Sequence, residues 1–190
     1  DEAERVERLL RYLKQEITTR KERFGREGVS SLIDYRAPAN ESLPAIVVVL
    51  DNYAAFREAF EDSEDAIVQI VREGGNLGVH LVLTANTSTA VRHGVSGNVS
   101  LAVALHLVER GEYGAIIGRT DGLVPTPVPG RGLIRDITSP GAQGALEYQT
   151  ALPAEGDNTA ERSRALRAVV AKMASAWDGP PTHPVRRLPD

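Results

Sequence analysis

Apolar and polar residues alternate at helical spacing over residues 3–24. Val6, Leu9, Leu10, Leu13 and Ile17 are separated by Glu, Arg and Lys, the pattern of a helix with one buried stripe. Gly25 and Gly28 end it. The period lapses through 29–43, where Pro38 and Asn40 mark a turn and Ser30, Ser31 and Asp34 are candidate caps for a short helix. Residues 45–50 are continuously apolar and β-branched, bounded by Pro44 and Asp51. They predict a strand buried on both faces, as in a parallel sheet. Helical spacing returns over 53–60 and 63–73, with Ile67, Ile70 and Val71 as the stripe and Gly74-Gly75-Asn76 as the stop. Val79 to Leu83 predicts a second strand, 99–107 a third and 111–117 a short helix. Pro125 to Pro129 reads as a rigid loop. Gly132–Asp136 and Ala145–Thr150 read as a hairpin or two edge strands around Pro140-Gly141. A helix over 159–176, capped by Asn158 or Thr159, carries Leu166, Val169, Val170 and Met173 on one face.

Strands alternating with helices predict an α/β fold with a largely parallel sheet. Such sheets bind ligands at the C-terminal ends of their strands. Asp51 and the Thr84–Ser88 segment both follow predicted strands, so both are placed to line one crevice. The rest of the chain divides into one domain over 1–178 and an extended, Pro-rich tail or connector over 179–190.

Composition narrows the function. The chain has 190 residues, 42% of them hydrophobic, enough for a core, and a formal net charge of −4 that argues against a general nucleic-acid surface. It has no cysteine, hence no disulfide, thiolate metal site or cysteine nucleophile. His80 falls in an apolar strand and reads as a packed or hydrogen-bonded core residue. His93, His106 and His183 lack metal-ligand spacing to it and to one another. No apolar run approaches the ~20 residues of a membrane span. The chain begins inside a helical pattern, so a larger polypeptide is expected, with any membrane anchor outside these residues.

The chemistry is concentrated after the first strand. Ile46-Val47-Val48-Val49-Leu50-Asp51 is half of a nucleotide site: a buried strand that ends in the acidic residue which, in P-loop ATPases, holds Mg²⁺. The other half is missing, because no Gly-x-x-x-x-Gly-Lys-Ser/Thr occurs and the lysines are Lys14, Lys21 and Lys172. Asn52 stands where a catalytic glutamate would follow. A carboxylate can take a proton from attacking water and an amide cannot. Asn52 is therefore the mark of an impaired site, or simply a residue that hydrogen-bonds a strand end.

The string Arg72-Glu73-Gly74-Gly75-Asn76-Leu77-Gly78-Val79-His80-Leu81-Val82-Leu83-Thr84-Ala85-Asn86 resembles the FtsK/SpoIIIE family of ring-forming translocases, where such a stretch lies downstream of the Walker B strand. Ile117-Gly118-Arg119-Thr120-Asp121 and Pro129-Gly130-Arg131-Gly132-Leu133 add to the match. With Asp51-Asn52-Tyr53 and Leu152 to Asp157, they make the chain similar to the ATPase modules of the type VII (ESX) secretion motor, the EccC/EssC branch. The likeness runs across nearly the whole chain.

The resemblance implies a RecA-like P-loop NTPase fold, three-layered with a mainly parallel sheet, from which the N-terminal, Walker A portion of the module is absent. It implies ATP and Mg²⁺ as cofactors of the intact module. Asp51 would hold the metal through water, and Thr84 and Asn86 would occupy the polar sensor position (or merely close a turn). Arg119, and less so Arg72, are candidates for an arginine finger or for surface ion pairs. Arg131 is a candidate turn residue. The implied partners are other ATPase modules of the same chain, small helical-hairpin secretion substrates, and further copies in a homo-hexamer at the cytoplasmic face of the bacterial membrane, with no nucleic acid. A degenerate module would regulate or recognise substrate, and these residues alone should not hydrolyse ATP, since nothing cradles the β- and γ-phosphates. The rivals are a module that binds a substrate signal without nucleotide, and a DNA translocase, against which the Asp51-Asn52 pair and the net charge count.

Overall fold

The computed structural model describes residues 2–36, 43–136 and 144–179. The turn expected at Pro38 and Asn40, the Pro140-Gly141 turn and the tail beyond Gly179 lie outside these. The chain divides into two compact units, the first running to Ala102 and the second starting at Val103.

The first unit opens with α1 (Glu2–Arg26), whose buried residues are Leu10, Leu13, Ile17, Arg20 and Phe24. Their alternating spacing of three and four keeps them on one face. Ser31 caps α2 (Leu32–Arg36), its Oγ accepting from the Asp34 N–H at 3.1 Å. Then come β1 (Ile46–Leu50), α3 (Tyr53–Ala59), a 3₁₀ turn at Glu61–Ser63, α4 (Glu64–Gly74), β2 (Val79–Leu83) and α5 (His93–Ser96). The first two strands, α3 and α4 agree with the sequence pattern. The short α5 was not expected, and its four residues offer no periodicity to detect.

β1 and β2 are parallel and in register, Ile46 beside Val79 through Leu50 beside Leu83. Leu50 and Val79 join Leu10, Leu13, Ile17, Phe24, Ile67, Ile70 and Leu77 in the core, with Ile46, Val48, Leu81 and Leu83 packed against it. Among the described residues the opposite face is not covered. Val47 is 60% and Val49 68% exposed, and His80 and Val82 beside them are also exposed. This corrects the two-sided burial expected of β1 and the core placement expected of His80. A continuous apolar run does not say whether one face or both will be packed; among the described residues, only one is.

The second unit holds β3 (Val103–Leu105), α6 (Gly111–Ile117), β4 (Arg131–Arg135), β5 (Ala145–Gln149) and α7 (Thr159–Ala176). Its three strands form an antiparallel sheet in the order β3-β4-β5. The α/β alternation holds, and β4 and β5 pair as the expected hairpin, but the parallel pairing expected to dominate is confined to β1 and β2 among the described residues. The third strand is also shorter than the expected 99–107. Ala104, Tyr113, Ile117 and Leu133 form the buried set here, with the Tyr113 hydroxyl accepting from the Leu107 N–H at 2.8 Å. Asn158, of the two candidates, caps α7: its Oδ1 accepts from Glu161 N–H at 3.0 Å. The stripe of Leu166, Val169, Val170 and Met173 is exposed along its length.

Candidate functional site

Because β1 and β2 run side by side in register, the chain leaves both at the same edge, through Asp51 and Thr84. The two exits are stitched together at one residue. The Thr84 N–H donates to the Leu50 carbonyl at 3.1 Å, and the Tyr53 N–H donates to the Thr84 carbonyl at 2.9 Å. The Thr84 hydroxyl donates to the Asp51 carboxylate and accepts from the Asn52 N–H at 2.9 Å. Four successive residues, Leu50 to Tyr53, are thus each tied to Thr84.

Asn52 occupies the left-handed region, φ 56° and ψ 66°, and its Oδ1 accepts from the Ala55 N–H at 3.4 Å to cap α3. Asparagine tolerates this conformation because its short polar side chain bonds locally. Asp51 and Asn52 are exposed, whereas Tyr53 is 1% exposed. Among the described residues its hydroxyl has no hydrogen-bond partner. Burial pushes the Tyr53 phenol above its ordinary value, the Glu64 charge adding to this and Arg57 and Arg92 opposing it.

Asp51, Asn52 and Thr84, singled out from sequence, are therefore one hydrogen-bonded group. Asn86 stands two residues beyond Thr84, exposed and outside that group. An exposed carboxylate with one oxygen held by a hydroxyl is a hard oxygen donor that suits a hydrated magnesium ion. Asn52 carries no group that can take a proton, and its oxygen is engaged in the cap.

The candidate arginines are placed differently. Arg119, in the second unit, is exposed and paired with Asp121 at 2.6 Å, which raises the guanidinium's already high value. Their loop has positive φ at Gly118, Asp121 and Gly122. Arg72 pairs with Glu73 at 2.9 Å, and Lys21 of α1 reaches the same carboxylate at 3.1 Å. That is the surface ion pair. Arg131 faces Glu147 at 3.5 Å, and its N–H donates to Val128 at the turn before β4.

Arg20, to which sequence reasoning assigns no role, is 2% exposed. Its guanidinium donates to Glu16 at 2.7 Å, to the Leu77 carbonyl at 2.9 Å and to the Pro44 carbonyl at 2.8 Å. It holds the segments entering β2 and β1, at the opposite end of the strand pair from Asp51. Its signal was available: Arg20 interrupts the apolar stripe of α1 at a core position.

The fold is that of a RecA-like P-loop NTPase. The pCW3 conjugation coupling protein TcpA shares the fold alone, with a TM-score of 0.68 and 18% identity over 88% of this chain and 49% of that one. No family model matches the chain. Over its full length it is 29% identical to the ESX secretion system protein EccC of Geobacillus thermodenitrificans, 12% of which it covers. ATPases 2 and 3 of EssC from the same organism match with a TM-score of 0.84 at 29% identity, over 95% of this chain and 33% of that one. Those of Thermomonospora curvata EccC, in complex with a signal sequence peptide, match with a TM-score of 0.77 at 28% identity, over 98% and 34%. The chain is homologous to the ATPase domains of the EccC/EssC type VII secretion proteins and spans about an eighth of the curated relative's length. No helix among the described residues is long and apolar enough to cross a membrane.

Proposed function

We propose that these residues are the C-terminal part of a degenerate ATPase module in a type VII protein secretion motor. The module would bind nucleotide or regulate the motor without hydrolysing ATP efficiently. The observation that carries this reading is the group at the ends of β1 and β2: an exposed Asp51 carboxylate, oriented by Thr84, followed by an amide where an active site needs a carboxylate. ATP and Mg²⁺ are the cofactors proposed, with Asp51 the residue that would hold the hydrated metal. The metal would neutralise phosphate charge when bound. The phosphate cradle would come from polypeptide outside these 190 residues, as would the membrane anchor. The partners are other modules of the motor, further copies in a hexamer and its secreted substrates. Arg119 is the residue proposed to reach a neighbouring nucleotide.

The test is Mg²⁺–ATP binding and hydrolysis by the natural polypeptide carrying this segment, beside Asn52→Asp and Asn52→Glu. Aspartate keeps the left-handed turn and the cap, whereas glutamate there costs roughly 1–2 kcal/mol. Binding by wild type with turnover raised by either substitution supports the reading. Absence of nucleotide binding in all three forms removes it. A second reading then stands: a module that binds a substrate signal without nucleotide, favoured by the signal sequence peptide bound to the related EccC.

A further inference from the structure

We infer that Thr84 is a positioning residue. Its hydroxyl orients the Asp51 carboxylate and pins the Asn52 turn, and it serves the site through them rather than through contact with phosphate. The inference rests on the nucleotide reading above for its consequence, but on hydrogen bonding for its cause. A threonine hydroxyl has one proton to give and two lone pairs. Here the proton goes to Asp51 and a lone pair receives the Asn52 N–H. A residue committed in this way has no proton left for a phosphate oxygen unless it releases Asp51.

The commitment also explains the turn. Asn52 leaves β1 in a left-handed conformation, and its N–H, the first beyond Asp51, has Thr84 Oγ1 as its partner. On either side the ties to Thr84 are through its backbone: Leu50 accepts from its N–H, and its carbonyl accepts from Tyr53. Removing only the hydroxyl therefore frees Asp51 and Asn52 while leaving Leu50 and Tyr53 bonded. That separation is the handle for a test.

Thr84→Val keeps the shape and loses the hydroxyl; Thr84→Ser keeps the hydroxyl and loses a methyl. In the natural polypeptide carrying this segment, hydrogen exchange is read at the Asn52 and Tyr53 amides. Mg²⁺–ATP and Mg²⁺-free ATP binding are measured in parallel. Thr84→Val is expected to speed exchange at Asn52 roughly tenfold or more, the loss of one hydrogen bond, with Tyr53 unchanged. It should weaken Mg²⁺–ATP binding by a similar factor and leave Mg²⁺-free ATP binding alone. Thr84→Ser should resemble wild type in both. The inference is overturned if Asn52 and Tyr53 exchange faster together, because that is general loosening of the strand ends. It is equally overturned if Thr84→Ser behaves like Thr84→Val, or if both forms of ATP lose affinity alike. If wild type binds no nucleotide, the nucleotide reading falls, and the positioning role in that chemistry falls with it. The exchange pattern then still decides whether the hydroxyl pins the turn.

Discussion

The Arg20 guanidinium donates to the main-chain carbonyl of Leu77, 57 residues further on, at 2.9 Å and out of contact with water. The same group reaches Pro44, so one side chain of α1 fixes the approach to both parallel strands. Arg20→Ala should lower stability by about 3 kcal/mol, because the carbonyls it serves lose their partner. Arg20→Lys should recover only part of this, since an ammonium lacks the planar fork that spans the Glu16 carboxylate and two carbonyls. Urea denaturation of the three forms measures both.

Gly78 lies beside this clamp with φ +75°, and a Cβ there would stand 2.2 Å from Leu32 Cδ2 and 3.1 Å from an Arg20 nitrogen. Gly78→Ala should therefore cost at least 1 kcal/mol, from backbone strain and displacement of α2. Gly75, three residues earlier, has helical angles and open space around it. Gly75→Ala should be neutral or stabilise by up to about 1 kcal/mol. Thermal unfolding of the pair gives opposite shifts.

Tyr53→Phe should leave stability unchanged or raise it by about 1 kcal/mol, because it removes a buried hydroxyl that has no partner among the described residues. The phenol's value is raised in the folded state, so above the unfolded value near 10 the folded chain holds the proton that the unfolded chain loses. Stability then declines as pH rises. Tyr53→Phe should flatten that alkaline decline. Melting temperature against pH from 8 to 11 checks it.

Glu73 is held below its ordinary value first by the hydrogen bond from Arg72 and then by that from Lys21. Its contribution is present above the unfolded value of about 4.5 and is lost as pH falls through the lower folded value. The pair is partly solvated, so Glu73→Gln should cost no more than about 1 kcal/mol at neutral pH. Near pH 3 the difference between the two forms should shrink. Urea midpoints at pH 7 and pH 3 measure the change.

The legible parts of this chain were those with a period or a stop. β2, α6 and α3 to α4 have clean apolar spacing ended by glycine or a polar residue, and they fold where the pattern placed them. Asp51, Asn52 and Thr84 were legible as strand-end residues because parallel strands expose their exits together. Their bonding was not, since it depends on register, which one strand's sequence does not contain. Arg20 was hidden for a different reason. Seven further arginines and lysines share its helix, and only its place in the three-and-four spacing between Ile17 and Phe24 sets it apart. The outward side chains of β1 show the limit of composition: Val47 and Val49 are as apolar as Val48, and no local rule separates the packed from the exposed.

The left-handed turn at Asn52 bears on how such a module changes over generations. The position admits asparagine, aspartate and glycine readily and resists longer or branched side chains. A lineage that has settled into this turn can exchange amide for acid with the short side chain. A glutamate there holds the same left-handed backbone only at a cost of roughly 1–2 kcal/mol. The turn thus sorts substitutions at residue 52 by backbone strain: asparagine, aspartate and glycine pass nearly free, and every longer side chain carries that cost.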